Sequence, residues 1–272
     1  MARREIEGLR TIVTGASSGI GREFAIELAK QGAKLIVTAR RAERLEEVLD
    51  ELRTLGADAV SVVGDIVDAA TLAALIEAAA REFGGLDALV NNAGIGAIGP
   101  FANADEDRLR RVMEVNFFAP VELIRLAMPL LRRGNRPIIA NVSSVLGHRA
   151  VANKSEYCAS KFAMHGFSDA LRCELAGDGI DVLLVSPSTT SSEFFDSVTD
   201  KEDSRDCRVR HAMPPRVVAQ KAVKAMRQGK HEVILSVGGK AIVWLDRLCP
   251  PLMNRILARC NQHDNIPPRP WR

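Results

Sequence analysis

Ser144, Tyr157 and Lys161 have the side-chain types and the spacing of an acid/base site, and Tyr157 is the only tyrosine among the 272 residues. Positions i and i+4 share a helix face, so the Tyr157 phenol and the Lys161 ammonium are predicted to point into one space. A phenol has a pKa of about 10, and a nearby positive charge lowers it by favouring phenolate. We therefore predict that Tyr157 exchanges a proton with a substrate oxygen, that Lys161 lowers its pKa, and that Ser144 polarises the same oxygen. The alternative is a chance Tyr/Lys pair on an amphipathic helix, so the prediction needs support elsewhere.

A glycine-rich segment near the N-terminus supplies that support. An apolar strand is predicted over residues 9–14, followed by Gly15, Gly19 and Gly21 and by a helix over residues 22–31. Strand, glycine turn and helix together indicate dinucleotide binding rather than a plain glycine-rich loop. Gly15 allows a tight turn, Gly19 lets the backbone approach a pyrophosphate, and Gly21 permits close contact of helix and sheet. The unpaired N–H groups of the helix N-terminus would then face the phosphates.

These motifs resemble those of the short-chain dehydrogenase/reductase family, over a stretch from about Gly8 to the strand near Val237. The matching segments are residues 14–21 (TGASSGIG), 91–94 (NNAG), 142–144 (VSS) and 157–161 (YCASK), together with Asn116 and Pro187. The resemblance implies an α/β fold, a Rossmann-like doubly wound parallel β-sheet of about seven strands flanked by helices on both faces. It also implies nicotinamide-cofactor binding and reversible hydride transfer between a carbonyl and an alcohol.

The residues after the second strand predict which cofactor is used. An acidic side chain there would bind the ribose hydroxyls of NAD, but this sequence has Ala39 followed by Arg40 and Arg41. A guanidinium can bind a 2′-phosphate with charge-assisted hydrogen bonds, so we predict NADP(H), with Arg40 as the stronger candidate and Arg41 as the second. The alternative is a solvated helix start, which the helix dipole disfavours for cations.

Further roles follow from the resemblance. Asp65 is implied to contact the adenine amino group, although a loop aspartate that caps the next helix is the alternative. Asn116 is implied to hold a water that connects Lys161 with solvent, and Pro120, which has no N–H, leaves the Asn116 carbonyl without its helical partner. The alternative is that Pro120 only kinks the helix and Asn116 faces a neighbouring subunit. Ser188 replaces the glycine that follows the family's proline, which weakens the expectation for the contacts there.

The predicted site therefore has two sets of residues. The catalytic set is Asn116, Ser144, Tyr157 and Lys161. The cofactor-binding set is Gly15, Ser17, Ser18, Gly19, Ile20, Gly21, Arg40, Arg41, Asp65, Ile66, Asn92, Ala93, Gly94, Tyr157, Lys161, Pro187, Thr190 and Ser192. Candidate residues of a substrate pocket are Ile95, Ile98, His148, Arg149, Val151, Phe194, Phe195, Val198 and Met213, which would suit an apolar ketone or alcohol with one polar end.

Composition limits the other classes of function. The chain is 47% hydrophobic and 26% charged with a net charge of +3, typical of a globular protein and too small a charge to indicate nucleic-acid binding. The five cysteines form no C-x-x-C pair, so we expect no metal site and a reducing compartment. The charged N-terminus runs directly into the first strand without an apolar signal segment, so we expect a cytoplasmic protein.

The alternation of strands and helices predicts one domain over residues 1–272, with a C-terminal extension at about 240–272. Long helices are predicted over residues 105–132 and 155–176, a lid-like loop over 189–215, and a last strand over 233–237. The family suggests a homodimer or homotetramer built from the two long helices, where Phe117, Phe118, Phe162 and Phe167 are available.

Residues 241–260 are the least family-like part of the chain. They predict two short amphipathic helices that would close over the substrate, pack on a partner subunit or lie on a membrane surface, the last being disfavoured. Three functions are therefore weighed: an NADP(H)-dependent reductase or dehydrogenase, a non-catalytic NADP-binding module that senses redox state, and a membrane-surface reductase acting on a lipid-like substrate.

Overall fold

The computed structural model describes residues 4–190 and 212–262, and within them a single parallel sheet has seven strands in the order β3-β2-β1-β4-β5-β6-β7. The strands are β1 (Arg10–Thr14), β2 (Lys34–Ala39), β3 (Ala59–Val63), β4 (Ala88–Asn91), β5 (Ile138–Val142), β6 (Asp181–Ser186) and β7 (Glu232–Ile234). The order runs outward in both directions from β1 and β4, which is the switch point at which such sheets bind ligands. The doubly wound fold predicted from the sequence is confirmed.

Helices cover both faces of the sheet. They are α1 (Gly19–Ala29), α2 (Ala42–Thr54), α3 (Ala69–Phe83), α4 (Glu106–Met113), α5 (Ala119–Leu131), α6 (Ser155–Glu174), α7 (Pro215–Arg227), α8 (Val237–Leu248) and α9 (Pro250–Gln262). Neighbouring strand residues alternate between two cores: Ile12 packs into the core with α3, α5 and α6, and Val13 into the core with α1, α2 and α7. Both faces are buried, which explains why the strands are nearly continuous apolar runs.

The helix predicted over residues 105–132 is divided. A π-helical turn, Glu114–Phe118, separates α4 from α5, and Pro120 lies at the start of α5. A π-turn inserts one residue into the helical repeat, and such turns are frequent at functional sites. Asn116 lies at the centre of this turn.

The C-terminal part also differs from the prediction. β7 ends at Ile234 rather than at residue 237, because Ser236 caps the next helix: its Oγ accepts a hydrogen bond from the Gly239 N–H at 2.9 Å. The two short helices expected there are α8 and α9. Among the described residues, none of the helices has the length and apolar character that a bilayer crossing requires.

Candidate active site

The carboxyl ends of the central strands open into a cleft of about 650 Å³. These predicted site residues line it: Gly15, Ser17, Ser18, Gly19, Ile20, Arg40, Arg41, Asp65, Ile66, Asn92, Ala93, Gly94, Ser144, Tyr157, Lys161, Pro187 and Thr190. Gly21 and Asn116 do not belong to the described lining and support it from behind, and Ser192 lies outside the described residues. The fold thus gathers residues from seven separate segments of the sequence at one cleft.

The glycine loop packs directly on the segment after β4. Gly15 has φ +65°, and a Cβ at this position would lie 2.8 Å from the Ala93 Cα. A Cβ on Gly21 would overlap the Gly15 carbonyl and the Asn92 amide. The Thr14 Oγ1 accepts hydrogen bonds from the N–H groups of Asn92 and Ala93, each at 3.0 Å. These contacts fix the loop and the start of α1, which is the geometry that presents backbone N–H groups to a pyrophosphate.

Tyr157 and Lys161 lie one turn apart on α6, with the Lys161 Nζ 5.6 Å from the centre of the Tyr157 ring. Lys161 is buried, and its Nζ donates a hydrogen bond to the Val142 carbonyl at 3.0 Å. Ser144 is hydrogen bonded to Tyr157, and its Oγ accepts from the Leu146 N–H at 3.1 Å. Ser143 turns away, and its Oγ donates to the Lys161 carbonyl at 3.3 Å. Ser144 is therefore the serine that meets the phenol, as the spacing predicts.

Burial changes the acidity of both Lys161 and Tyr157. Burial lowers the pKa of Lys161 to about 8. Burial also raises the pKa of the Tyr157 phenol well above its usual value, and the hydrogen bond with Ser144 lowers it by less. Burial therefore opposes the lowering of the phenol pKa that we expect from Lys161, because it penalises both charges at this site.

Asn116 joins α6 to the loop after β4. Its side chain is buried and makes three hydrogen bonds: Nδ2 donates to the Ile95 carbonyl and to Ser160 Oγ, both at 3.0 Å, and Oδ1 accepts from the Ile95 N–H at 2.8 Å. These contacts lie within one chain, so the alternative in which the side chain faces a neighbouring subunit is wrong. Pro120 has no N–H with which to meet the Asn116 carbonyl, as the sequence predicts.

The two arginines after β2 take different positions at the cleft. The Arg41 Nη2 lies 3.0 Å from Ser18 Oγ and 3.3 Å from Ser17 Oγ, so this guanidinium reaches the glycine loop. The Arg40 Nη1 lies 3.6 Å from Asp65 Oδ2, and the Arg40 side chain is 64% exposed. Arg41 thus contacts the glycine loop directly, whereas Arg40 faces Asp65 and solvent. Because Asp65 accepts a hydrogen bond from the Val67 N–H at 3.3 Å, its carboxylate is held at the cleft rather than on α3.

The wall of the substrate pocket is only partly as predicted. Ile95, Ile98, Arg149 and Val151 line the cleft. His148 does not belong to the described lining, because its ring is buried against Glu232 with 2.6 Å between Nε2 and Oε1. Met213 is also outside that lining and bridges to Thr190, whereas Phe194, Phe195 and Val198 lie outside the described residues.

One wall of the cleft was expected only as an alternative, in which the two C-terminal helices close over the substrate, and its residues were not among the predicted pocket residues. Gly239 and Ile242 of α8 and Leu257 of α9 line it, as does Leu146. The Arg149 Nη1 lies 2.8 Å from Asp246 Oδ1 and connects the turn after Ser144 to α8. No local motif marks these residues, and only their place on the apolar side of amphipathic helices could have suggested them.

A buried ion pair holds the start of α6. Arg108 on α4 is 1% exposed and Glu156 is 3% exposed, and Arg108 Nε and Nη2 lie 2.9 and 2.7 Å from Glu156 Oε1. Burial opposes ionisation of Glu156, but hydrogen bonds from Ser155 and Arg108 outweigh it, so its pKa lies below the usual value. Since Glu156 precedes Tyr157, the pair fixes the helical turn that carries the phenol.

Comparison with known proteins agrees with this fold. Residues 10–203 match the model of the short chain dehydrogenase family. The oxidoreductase YxnA of Bacillus subtilis (strain 168) is 31% identical over 263 residues, which are 95% of this chain and 74% of that protein. Dehydrogenase/reductase SDR family member 7B of Bos taurus is 32% identical over 267 residues, 94% of this chain and 82% of that protein.

A solved structure is similar over nearly the whole chain. It is a short chain dehydrogenase/reductase from Burkholderia phymatum in complex with NAD, with a TM-score of 0.84, 23% sequence identity and coverage of 99% of both chains. The protein belongs to the short-chain dehydrogenase/reductase family of oxidoreductases.

Proposed function

We propose that this protein is an NADP(H)-dependent oxidoreductase that transfers a hydride between nicotinamide and a carbonyl or alcohol substrate. The observation that supports it most directly is the meeting of Ser144, Tyr157 and Lys161 at the cleft that the glycine loop also lines. The bound nicotinamide supplies the hydride chemistry, and the protein supplies orientation and proton transfer.

The side chains have distinct roles in this proposal. Ser144 donates a hydrogen bond to the substrate oxygen, and Tyr157 gives that oxygen its proton. A phenol whose pKa is raised by burial stays protonated at neutral pH, which suits carbonyl reduction. Lys161, with its pKa lowered to about 8, readily returns a proton to Tyr157. Asn116 holds the loop after β4 against α6, and the proton that Lys161 exchanges reaches solvent between these two elements.

The preference for NADP(H) rests on charge. Ala39 offers a ribose hydroxyl no acceptor, whereas Arg41 at Ser17 and Ser18 and Arg40 at Asp65 place two cations around the expected adenosine ribose. The Burkholderia phymatum structure contains NAD, but at 23% identity its likeness extends to the fold alone. Arginine side chains that line the cleft therefore support NADP(H) in this chain.

A screen of ketones and aldehydes with NADPH tests the function. We expect NADPH oxidation with an apolar substrate, and we expect Tyr157→Phe to abolish it while NADPH binding persists, because only the hydroxyl is lost. Ser143→Ala is the matched control, since its hydroxyl faces the Lys161 carbonyl. A wild-type protein that binds NADPH but reduces none of a broad panel would favour the redox-sensing module, and an active Tyr157→Phe would show that another group carries the proton.

A second candidate, a reductase at a membrane surface that acts on a lipid-like substrate, is favoured by one observation. α8 exposes Trp244 (57%) and Leu248 (79%), while Ile242 of α8 and Leu257 of α9 line the cleft. An apolar face beside an apolar cleft wall suits a substrate taken from a lipid phase.

The proposal includes self-association and a cytoplasmic location. Phe118 and Phe162, on the π-turn and α6, are 52% and 43% exposed and are available to a second copy of the chain. The free thiols of Cys158, Cys173 and Cys249 suit a reducing compartment.

A further inference from the structure

Two histidines and a glutamate from three distant parts of the sequence meet behind the catalytic residues. His148 follows the turn after Ser144, His165 lies on α6 and Glu232 opens β7, and a ligating atom from each lies within 4.8 Å of the other two. His148 Nε2 is 2.6 Å from Glu232 Oε1, and the two imidazole rings are 4.3 Å apart between centres. Two imidazoles and one carboxylate form a ligand set that suits Zn²⁺ and related divalent transition metals.

The surroundings of His165 leave its Nε2 suited to a metal ligand. Its Nδ1 lies 3.2 Å from the Gly147 carbonyl, which accepts the Nδ1–H and leaves Nε2 for a ligand. A backbone carbonyl in this outer position fixes the tautomer and the ring orientation of ligating histidines. The Asp169 Oδ2 lies 3.3 Å from the same Nε2 and adds negative charge, although Asp169 also pairs with Arg172 at 2.8 Å.

Hydrogen bonding alone does not satisfy the cluster. The His148 side chain is 2% exposed, and its Nδ1 has no hydrogen-bond partner in the described part of the chain. Ser186 Oγ lies 3.2 Å from His148 Nε2 and 3.3 Å from Glu232 Oε1. These contacts hold the imidazole with its Nε2 directed at the Glu232 carboxylate, which is the position of a ligand atom.

We propose that His148, His165 and Glu232 bind one divalent transition-metal ion, with Zn²⁺ as the best match, and that a water molecule completes the coordination. Tetrahedral Zn²⁺ with bonds of about 2.0–2.1 Å needs its ligand atoms about 3.4 Å apart. His148 Nε2 and Glu232 Oε1 must therefore separate by under about 1 Å, which rotation of the Glu232 side chain provides.

The site would connect three elements that carry or support the catalytic residues. Tyr157, Lys161, His165 and Asp169 follow one another at intervals of four on α6, so the metal would lie on the stripe that carries the phenol and the ammonium. It would tie that helix to β7 and to the turn that follows Ser144. A bound ion therefore stabilises the folded protein, because the three ligands come together only in the fold.

The experiment is a titration of the full chain, freed of metal with a chelator, with Zn²⁺ in competition with a chromophoric chelator. We expect one tight equivalent for each chain and an increase in the unfolding temperature. His165→Ala and Glu232→Gln should each weaken this binding by more than about 100-fold, beyond the effect of changing an outer contact. His231→Ala is the matched control, because His231 is exposed and adjacent to Glu232 but outside the cluster.

Two further measurements make the result decisive. Co²⁺ in place of Zn²⁺ should give the visible absorption of a four-coordinate site in wild type and His231→Ala and lose it in His165→Ala. NADPH binding and circular dichroism establish that each variant is folded. If His165→Ala proves unstable, Glu232→Gln serves in its place, because glutamine retains the shape of the glutamate side chain. Wild-type protein without a stoichiometric site, or variants that bind Zn²⁺ as tightly as wild type, would overturn the proposal.

Discussion

Lys161 is 4% exposed, and burial lowers its pKa from 10.5 to about 8. The difference corresponds to about 3 kcal/mol, at about 1.4 kcal/mol for each tenfold change in an equilibrium constant. Below pH 8 the ammonium is protonated in both folded and unfolded protein. The folded state then bears the full free-energy cost of burying the charge. Between about pH 8 and pH 10.5 the unfolded chain binds more protons, and the free energy of unfolding rises with pH.

Lys161→Met removes this charge. We expect the variant to be more stable than wild type by about 1–3 kcal/mol near pH 7, the lost hydrogen bond to Val142 offsetting part of the gain. The advantage should diminish as the pH rises towards about 10, where wild type has lost the proton. Urea unfolding of wild type and variant at several pH values measures this difference in the free energy of unfolding. A variant less stable than wild type at neutral pH, or a difference independent of pH, would contradict the assignment.

The position of Arg41 predicts the cofactor preference. Arg41→Ala should remove one to two charge-assisted hydrogen bonds of about 1.5–3 kcal/mol each, and thus weaken NADPH binding at least about tenfold while leaving NADH binding nearly unchanged. Arg40→Ala should act in the same direction and less strongly, because Arg40 pairs with Asp65. Nucleotide fluorescence titration measures both.

Arg53→Ala, at the far end of α2, is the control for this comparison. Arg53 pairs with Asp50 and Glu46 on the helix surface and should not affect either nucleotide. If wild type binds NADH more tightly than NADPH, the NADP(H) assignment is wrong.

At the residue scale, sequence could predict what depends on local chain geometry. The i, i+4 relation of Tyr157 and Lys161 and the strand-turn-helix context of Gly15 are local, and both hold in the structure. Which of Arg40 and Arg41 reaches the glycine loop depends on how the chain turns at the end of β2, and the acidity of Tyr157 depends on burial by distant segments. His148, His165 and Glu232 meet only through the tertiary fold, so no spacing of residues announces them.

At the scale of elements, the Arg108–Glu156 pair joins α4 to α6. Removing one member leaves the other buried and unpaired, so Arg108→Met should cost about 3–5 kcal/mol. The double variant Arg108→Met/Glu156→Leu should recover most of this loss, because no uncompensated charge remains. Urea unfolding of the two variants and wild type measures the recovery.

An exposed pair on a nearby helix provides the control. Arg125 and Glu122 on α5 are 68% and 44% exposed, so Arg125→Met should cost less than about 1 kcal/mol. Equal losses for Arg108→Met and Arg125→Met would mean that burial does not set the energy of the first pair.

Element boundaries were predictable where a local signal ends the element. Alternating apolar and helical patterns gave the strands and helices of the sheet, and Pro250 and Pro251 separated the last two helices. The π-turn around Asn116 was not predictable, because one inserted residue leaves the apolar pattern of residues 105–132 helical on both sides. β7 was placed too far along the chain, because Leu235 and Val237 continue an apolar run that Ser236 interrupts by capping α8.

At the scale of the whole molecule, α8 and α9 combine the exposed Trp244 and Leu248 with basic side chains. Lys240, Arg247, Arg255 and Arg259 are exposed, and each basic residue near an anionic surface contributes about 1 kcal/mol. Flotation with anionic vesicles should recover the full chain, and neutral vesicles should recover less. Trp244→Glu/Leu248→Glu should abolish flotation, whereas Leu55→Glu, at an exposed leucine after α2, should not. If neither wild type nor Leu55→Glu floats with the vesicles, the protein has no membrane role.

Self-association is the last property that the surface predicts. Phe118 and Phe162 are exposed on the π-turn and α6, while their neighbours Phe117 and Phe167 are in edge-to-face contact at 5.9 Å. Burying such aromatic rings between copies favours a dimer or tetramer, so light scattering at micromolar concentration should give a multiple of 29.6 kDa. Phe118→Asp/Phe162→Asp should reduce the mass to that of one chain, because association would bury two carboxylates. Phe101→Asp is the control and should leave the oligomer intact, because this ring is 69% exposed and lies outside these helices. A monomeric wild type would rule the interface out.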